Sequence, residues 1–521
     1  MRPSKWAAVE QERELVVRTV GALSVVKGLC DGLGLAEAVD RFCPIRSVAE
    51  YTHGQVVEAL VCNRLTHPRP LSSFTDWGER FAVSETLGIA ACKLNDDRLG
   101  RTLDALAEHL DEVLNLLARR ALERFGISIA ELHWDVTQLS FCGSYQEQEE
   151  GYAQVKYGRT PKRTIERQLH AGFWLAAEGA VPLRGQGFDG NAEDVSSVEP
   201  ALARLDALRA ALPHDSPPLV VGDSKLLSAG NVRAFSERRL RFLCPHPKHG
   251  PLKRRLAALE EGAFTPLAYA SERQRSGEPR YLVQESTLTV GSKQLRALYV
   301  LSLDDRDAAR AQRQRQLARA DEEIGKLNRG VPQRHRTAED VQRRAQTILE
   351  RRRVAELVRL EVVDEGGHAQ ARIKRSEQAL AAAEQLDGRY CLVTNDQQLS
   401  ADELFAAYKR QHLIESRFAD FKGPLQVRPV FLHSNKRIAA LLAVISLALL
   451  LYGLIEREIR RALPALGAAQ QRLLRQRIGR ATARKILDQL SDLAAVRARD
   501  GPTQLAQPRP IQQLLLQILA P

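Results

Sequence analysis

Between Ile438 and Ile455 the chain reads IAALLAVISLALLLYGLI, eighteen residues without a charge among them. A segment apolar all round has no face to offer water, so it must be covered on every side. Two solutions exist: a bilayer, for which eighteen residues is about the shortest span, or the middle of a large folded core. Charges flank the run at both ends, Lys436-Arg437 before it and Glu456-Arg457 after it. We therefore expect a buried core helix and no membrane partner.

The chain is long enough to build such a core. Its 521 residues correspond to about three domains on the usual length prior, and 44% hydrophobic content excludes wholesale disorder. Lys and Arg number 76 against 64 Asp and Glu, a formal +12 that favours a polyanionic partner, most commonly nucleic acid. Seven cysteines lie far apart without paired spacing, which fits a reduced, cytoplasmic protein. Cys244-Pro-His246-Pro-Lys-His249 offers three zinc ligands but no paired fourth. The N-terminus, with Lys5, Glu10, Glu12 and Glu14, has no apolar signal-peptide core.

Taken in order, residues 1–126 read as an all-helical domain for DNA-end binding or dimerisation. Helices are expected over Val16–Cys30 and Gln55–Leu65. A longer one starts at the Asn95 cap, carries Leu99, Leu103, Leu106, Leu110, Leu114 and Leu117, and stops at Gly126. At Ile127 the pattern changes. A strand carrying Asp135, further strands at Gln168–Ala176 and Val181–Phe188, a helix with Val198, Leu202, Leu205 and Leu208, and the run Pro218-Leu-Val-Val-Gly-Asp223 give an α/β core over 127–239. Residues 240–398 read as a mostly β insertion with a basic helical pair, Asp304–Asn328 and Thr337–Leu360. The core resumes over 399–462, and 463–521 reads as a helical C-terminal region.

Within 399–462, Tyr408, Gln411, Glu415 and Lys422 fall at i, i+3, i+7 and i+14, one polar face of a helix whose Leu404, Phe405, Leu413, Ile414, Phe418 and Phe421 form the apolar stripe beside it. A solvated charged helix would look the same. Partners elsewhere decide: Asp135 and Asp223 sit on strands of one sheet, Asp223 at the C-terminal end where α/β sheets place their sites. If Asp135, Asp223 and Glu415 converge, their mutual repulsion calls for a counter-charge. Two Mg²⁺ ions would supply it, with Mn²⁺ as a substitute, and would suit an in-line displacement at phosphorus.

These residues resemble the DDE transposases of bacterial insertion sequences, specifically those with a β-rich insertion in an RNase H-like catalytic domain. The family's glutamate motif is Tyr, two residues, Arg, three residues, Glu, six residues, Lys, and Tyr408, Glu415 and Lys422 match those intervals. Trp-Asp135-Val-Thr-x-Leu-Ser-Phe, Gly190-Asn191-x-x-Asp194 and Val-Val-Gly-Asp223-Ser add to the likeness, which spans roughly 127–460. Gln411 stands where the motif has Arg, with Arg410 adjacent.

The resemblance implies a two-metal site on Asp135, Asp223 and Glu415, with Tyr408, Arg410 and Lys422 on DNA phosphates. It also implies strand cleavage at transposon ends, 3′-hydroxyl transfer into target DNA, a homodimer in the synaptic complex, and a cytoplasmic, nucleoid-associated enzyme. Arginines near Arg310–Arg319 and Arg334–Arg353 would hold the backbone. An RNase H-like nuclease without strand transfer and a non-catalytic DNA-binding derivative are the alternatives. Some relatives cut the second strand through a DNA hairpin and stack a flipped base on an aromatic of the insertion. Between 224 and 400 this chain has no tryptophan, leaving Phe242, Phe264, Tyr269 and Tyr281 for that role.

Overall fold

The structure is a computed structural model that describes residues 15–143, 145, 149–160, 163–192, 194–210, 217–269, 279–334, 337–425, 432–498 and 503–519. The chain divides into two compact units. One takes in residues up to Leu226 together with Arg233–Leu240 and Arg410–Pro521, and the other Leu227–Val232 and Arg241–Lys409.

The first unit opens on strand β1 (Leu15–Thr19), where a helix from Val16 was expected. Its β-branched Val16, Val17 and Thr19 pair antiparallel with β14 (Ala494–Ala498), almost the whole chain away, and β15 (Thr503–Leu505) completes a three-stranded sheet. Residues 463–521 are therefore not purely helical as expected. After a turn at Gly21, where φ is 55°, come α1 (Leu23–Leu33), α2 (Leu35–Phe42), α3 (His53–Thr66), α4 (Phe74–Arg80), α5 (Val83–Leu87), α6 (Asp96–Ala107) and α7 (Leu110–Phe125). The Asn95 side chain caps α6 by accepting from the Arg98 amide at 2.9 Å, and α7 ends on Gly126 at φ 60°. The single helix expected between them is broken at Glu108–His109, because α6 packs on the long C-terminal helix whereas α7 packs on α2 and the sheet.

The sheet of this unit is built on β2 (Glu131–Phe141), β3 (Lys156–Arg159), β4 (Ile165–Ala176), β5 (Val181–Phe188) and β6 (Leu219–Gly222). Antiparallel β4 and parallel β6 flank β2, and β3 and then β5 share the far edge of β4. Strand alternation gives the sheet two distinct faces. On one, Trp134 stacks against Trp174 at 4.8 Å, and the buried Arg184 is bonded to Asp111 and Asn115 of α7. Helix α8 (Val198–Arg209) adds Arg204 to Asp111 at 3.2 Å on this side. The opposite face carries Asp135, Phe173 and Leu175.

The second unit is described by itself. After α9 (Ala229–Glu237) come β7 (Arg241–Pro245), α10 (Gly250–Ala257), β8 (Thr265–Pro266), β9 (Tyr281–Val290) and β10 (Lys293–Ser302). Next are α11 (Leu303–Arg334), α12 (Ala338–Arg352), β11 (Val358–Glu365), β12 (His368–Arg375), α13 (Glu377–Glu384), β13 (Arg389–Thr394) and α14 (Ala401–Lys409). Strands β7, β13, β10, β9 and β8 pair antiparallel in that order, with Gly291 at φ 59° in the β9–β10 turn, and β11 and β12 form a separate hairpin. The expectation of a mostly β insertion is corrected by α11, which alone runs 32 residues, where a stop near Asn328 was expected. Leu317, Ile324, Val341, Leu349 and Val358 bury the seam of this helical pair. Several of its arginines are already engaged: Arg313 with Asp387, Arg351 and Arg352 with Glu323, and Arg343 and Arg344 with Asp340.

Back in the first unit, α15 (His412–Lys422) leads to α16 (Asn435–Ala462), α17 (Ala468–Arg477), α18 (Ala483–Leu490) and α19 (Pro510–Leu519). The apolar run lies inside α16, where 94% of its most apolar window is buried by α3, α6, β5, α18 and α19. It is a core helix, as its charged flanks suggested. At Gly453 a Cβ would lie 2.7 Å from Pro182 Cδ, so the missing side chain lets α16 cross β5 closely.

Candidate active site

The two aspartates are brought together by strand register. Strands β2 and β6 run parallel with Trp134 opposite Gly222, so Asp135 within β2 and Asp223 just past the end of β6 come next to each other, and the charge of Asp223 acts on Asp135. Gly222 is what allows this: a Cβ there would lie 2.6 Å from Leu226 Cδ1 and 3.0 Å from Trp134 O. Immediately afterwards the backbone turns, with the Asp223 Oδ1 accepting from the Lys225 amide at 3.0 Å in an Asx-type turn. Asp135 fixes its own carboxylate by accepting from the Val136 amide at 2.7 Å.

Helix α15 is laid against the Asp135 face of that sheet by its apolar stripe. Asp135 pairs across the ladder with Phe173, whose ring meets Phe421 at 4.9 Å and Phe418 at 6.0 Å. Ile414 joins Leu175 and Ala180 in a small core. Glu415 lies next to Ile414 and three residues before Phe418, so it projects from the edge of the buried stripe and is itself exposed. The helix is locked in place by the buried Arg417, which donates to Ala180 O at 2.8 Å and pairs with Asp420 and Glu456, each at 3.0 Å.

Electrostatics tie the three acids together. Burial first, and then the charges of Asp223 and Glu415, push the Asp135 carboxyl up to about 6, against the opposing pull of the Val136 amide and Lys225. Burial likewise raises Asp223. Lys225, 3.9 Å from Asp223, is the nearby cation, and sequence reasoning passed over it although it sits two residues after the aspartate. Among the described residues, no three His, Cys, Asp or Glu side chains are close enough to ligate one metal ion as they stand. The Cys244, His246 and His249 cluster does not do so either, although its two histidine rings lie 5.2 Å apart.

The remaining expected residues divide. The single helix expected to carry Leu404 through Lys422 is interrupted at Arg410–Gln411. There the Leu413 and Ile414 amides donate three residues back, to Arg410 O at 2.8 Å and Gln411 O at 3.1 Å. Tyr408, Gln411, Glu415 and Lys422 therefore do not share one helix face. Tyr408 is the last residue but one of α14 in the second unit, its ring 6.0 Å from that of Tyr390. Lys422 is exposed at the last residue of α15. Arg410 grips both carboxylate oxygens of Glu131, which also bonds His133 Nε2 at 2.9 Å. Burial works to raise Glu131, but Arg410 and His133 override it and bring the carboxyl down to about 2. That ion pair, which sequence reasoning missed, docks the start of α15 onto β2.

A mixed sheet with Asp135 on β2, Asp223 at the end of the parallel strand β6 and a glutamate on the covering helix is an α/β domain with an acidic cluster. Residues 134–451 match the transposase DDE domain, and residues 15–119 match a domain of unknown function (DUF4277). The chain thus belongs to the transposase DDE-domain family. Among solved structures, the cryo-EM structure of the piggyBac transposase synaptic complex with hairpin DNA is similar at TM-score 0.33 and 10% identity, covering 88% of this chain and 85% of that one. Among curated proteins no sequence matches.

Proposed function

We propose that this chain is the transposase of a bacterial insertion sequence. Its RNase H-like core would cut DNA at the element's ends and join the freed 3′-hydroxyl to target DNA. The observation that carries this reading is the pair Asp135 and Asp223, next to each other at the end of the parallel β2–β6 pairing under the helix that bears Glu415, in a chain of the DDE-domain family. The donor set suits a hard divalent cation, since it is all carboxylate, and burial together with the charges of Asp223 and Glu415 holds Asp135 up to about 6. Asp135 and Asp223 would hold such an ion, with the exposed Glu415 side chain completing the set. A pair of Mg²⁺ ions, or Mn²⁺, supplies activation of the attacking oxygen and relief of charge on the leaving one.

The chain's own groups do the rest. Lys225 offsets charge beside Asp223, and Lys422 contacts phosphate oxygens around the scissile bond. Arg410, committed to Glu131, contributes mainly by anchoring α15. Two ends must be held together for strand transfer, so the working form is a homodimer on DNA in the nucleoid. The test uses duplexes copied from the DNA flanking the coding sequence, incubated with protein and Mg²⁺. We expect cleavage that exposes a 3′-hydroxyl and joined products in a second duplex, with Glu415→Gln lowering cleavage by about a thousandfold or more while binding persists. Cleavage without joining would favour a nuclease, and no metal-dependent cleavage of either flank would overturn the assignment.

A further inference from the structure

Strand β2 does not end at the carboxylates. Its partner β6 stops at Gly222, opposite Trp134, whereas β2 continues to Phe141 with β4 alongside and β3 on the outer edge of β4. The result is an arm of three antiparallel strands reaching past the point where Asp223 leaves the sheet. Its outer part is the β3–β4 hairpin, fastened near its tip by Thr160 N donating to Thr164 O at 2.9 Å and Arg163 N donating to Thr160 O at 2.8 Å.

The outer surface of this arm is unlike a fold-stabilising surface. Tyr157 is 60% exposed and Ile165 75% exposed, two of the five large apolar side chains most open to solvent among the described residues. Around them stand Arg159 and Arg163, both exposed, and Arg167, whose guanidinium lies 4.7 Å from the Tyr157 ring centroid. Among the described residues Arg159 and Arg163 form no ion pair, in contrast to Arg313 of α11 and Arg351 of α12. The nearby acids are accounted for: Asp189 pairs with Lys156, and Glu166 accepts from the Thr164 hydroxyl at 2.9 Å.

Register decides which way these groups face. Phe141 pairs with Arg167, Arg167 with Tyr157, and Ile165 with Arg159. Asp135 and Phe141 are separated by an even number of residues on an unbroken ladder, so Tyr157, Arg159, Ile165 and Arg167 share the face of Asp135. Six residues of strand separate the Asp135 row from the Tyr157 row, about 20 Å at about 3.3 Å each.

We infer that this arm is a duplex-DNA contact. Arg159 and Arg163 grip backbone phosphates, and Tyr157 and Ile165 lie against sugars or base edges about six base pairs from the cleaved bond, at about 3.4 Å per pair. The inference rests on the transposase reading and deepens it. It assigns to one hairpin a stretch of DNA that the carboxylates do not touch.

The test compares wild type, Arg159→Ala/Arg163→Ala and Tyr157→Ala on fluorescent duplexes copied from the DNA flanking the coding sequence, with an unrelated duplex as control. Binding is measured against salt, and hydroxyl-radical protection is mapped. Losing two phosphate contacts should flatten the plot of log affinity against log salt by about 2, at about 0.9 per contact. Tyr157→Ala should open the backbone about six base pairs from the cleavage point, while unfolding midpoints stay at wild type. If wild type binds and cuts a flanking duplex but the variants keep its salt slope and footprint, the arm is not a DNA contact and the transposase reading stands. If the variants lose self-association instead, the arm is a surface for a second copy of the chain and the inference is wrong. If wild type binds and cuts neither flank, both fall.

Discussion

Replacing Asp135 by Asn should make the metal-free protein more stable, although it removes a residue assigned to catalysis. The Asp135 carboxyl is pushed from an ordinary 3.8 to about 6, so ionising it in the folded state costs about 3 kcal/mol at about 1.4 kcal/mol per unit. Part of the side chain still reaches solvent, which brings the expected gain at pH 8 down to about 1–2 kcal/mol. The sign follows from linkage. A raised folded value means that the stability contributed by the protonated form is complete below about pH 4 and is lost as pH rises through about 6. Urea unfolding in EDTA at pH 5 and pH 8 therefore compares the two proteins. The variant should pull ahead of wild type between these values, and Mg²⁺ at ten times its dissociation constant should restore about 1.4 kcal/mol to wild type alone. A variant no more stable at pH 8, or a gap that does not change with pH, would refute the claim that Asp135 is buried beside two further carboxylates.

Arg410→Ala should leave Glu131 and His133 without their cation and lower unfolding free energy by about 1–3 kcal/mol, read by urea titration. Because Glu131 is depressed to about 2, its share is present above about pH 4.5 and disappears only as pH falls through about 2. Arg417→Ala removes the buried cation that Asp420 and Glu456 share, leaving Glu456 with Arg460 and the Ala483 amide, and should cost about 1–3 kcal/mol, with loss of cleavage because α15 loses its anchor. Gly172→Ala would drive a methyl into the Trp134 ring and should destabilise by about 1–3 kcal/mol, visible as a changed tryptophan emission before unfolding.

What could be read from sequence was whatever local chemistry dictates. Asp135 and Asp223 were placed on strands because Trp-Asp-Val-Thr and Leu-Val-Val-Gly-Asp carry their β signal within a few residues, and α16 was read as core from its lack of any polar face. The misreadings were made by partners distant in sequence. Leu15–Thr19 is a strand only because Ala494–Ala498 lies beside it. The break between α14 and α15 has no Gly or Pro to announce it, and Arg410 at that break is bonded to Glu131, 279 residues away. Strand β4 was expected only from Gln168 and β3 not at all, because the four residues Lys156–Arg159 carry little strand signal until Ile165–Gln168 lies beside them. Lys225 escaped notice because a lone lysine after Gly-Asp-Ser has no meaning until the neighbouring strand supplies Asp135.

For the proposed chemistry, Glu415 would have to reach the ion that Asp135 and Asp223 would hold. Crystals of the protein on a flanking duplex, soaked in Mn²⁺ and measured at the manganese absorption edge, address that directly. The predicted result is anomalous density bridging Asp135 and Asp223, with a Glu415 oxygen about 2.1–2.2 Å from an ion. Manganese bound elsewhere, or bound between the aspartates with Glu415 left in solvent, would contradict it.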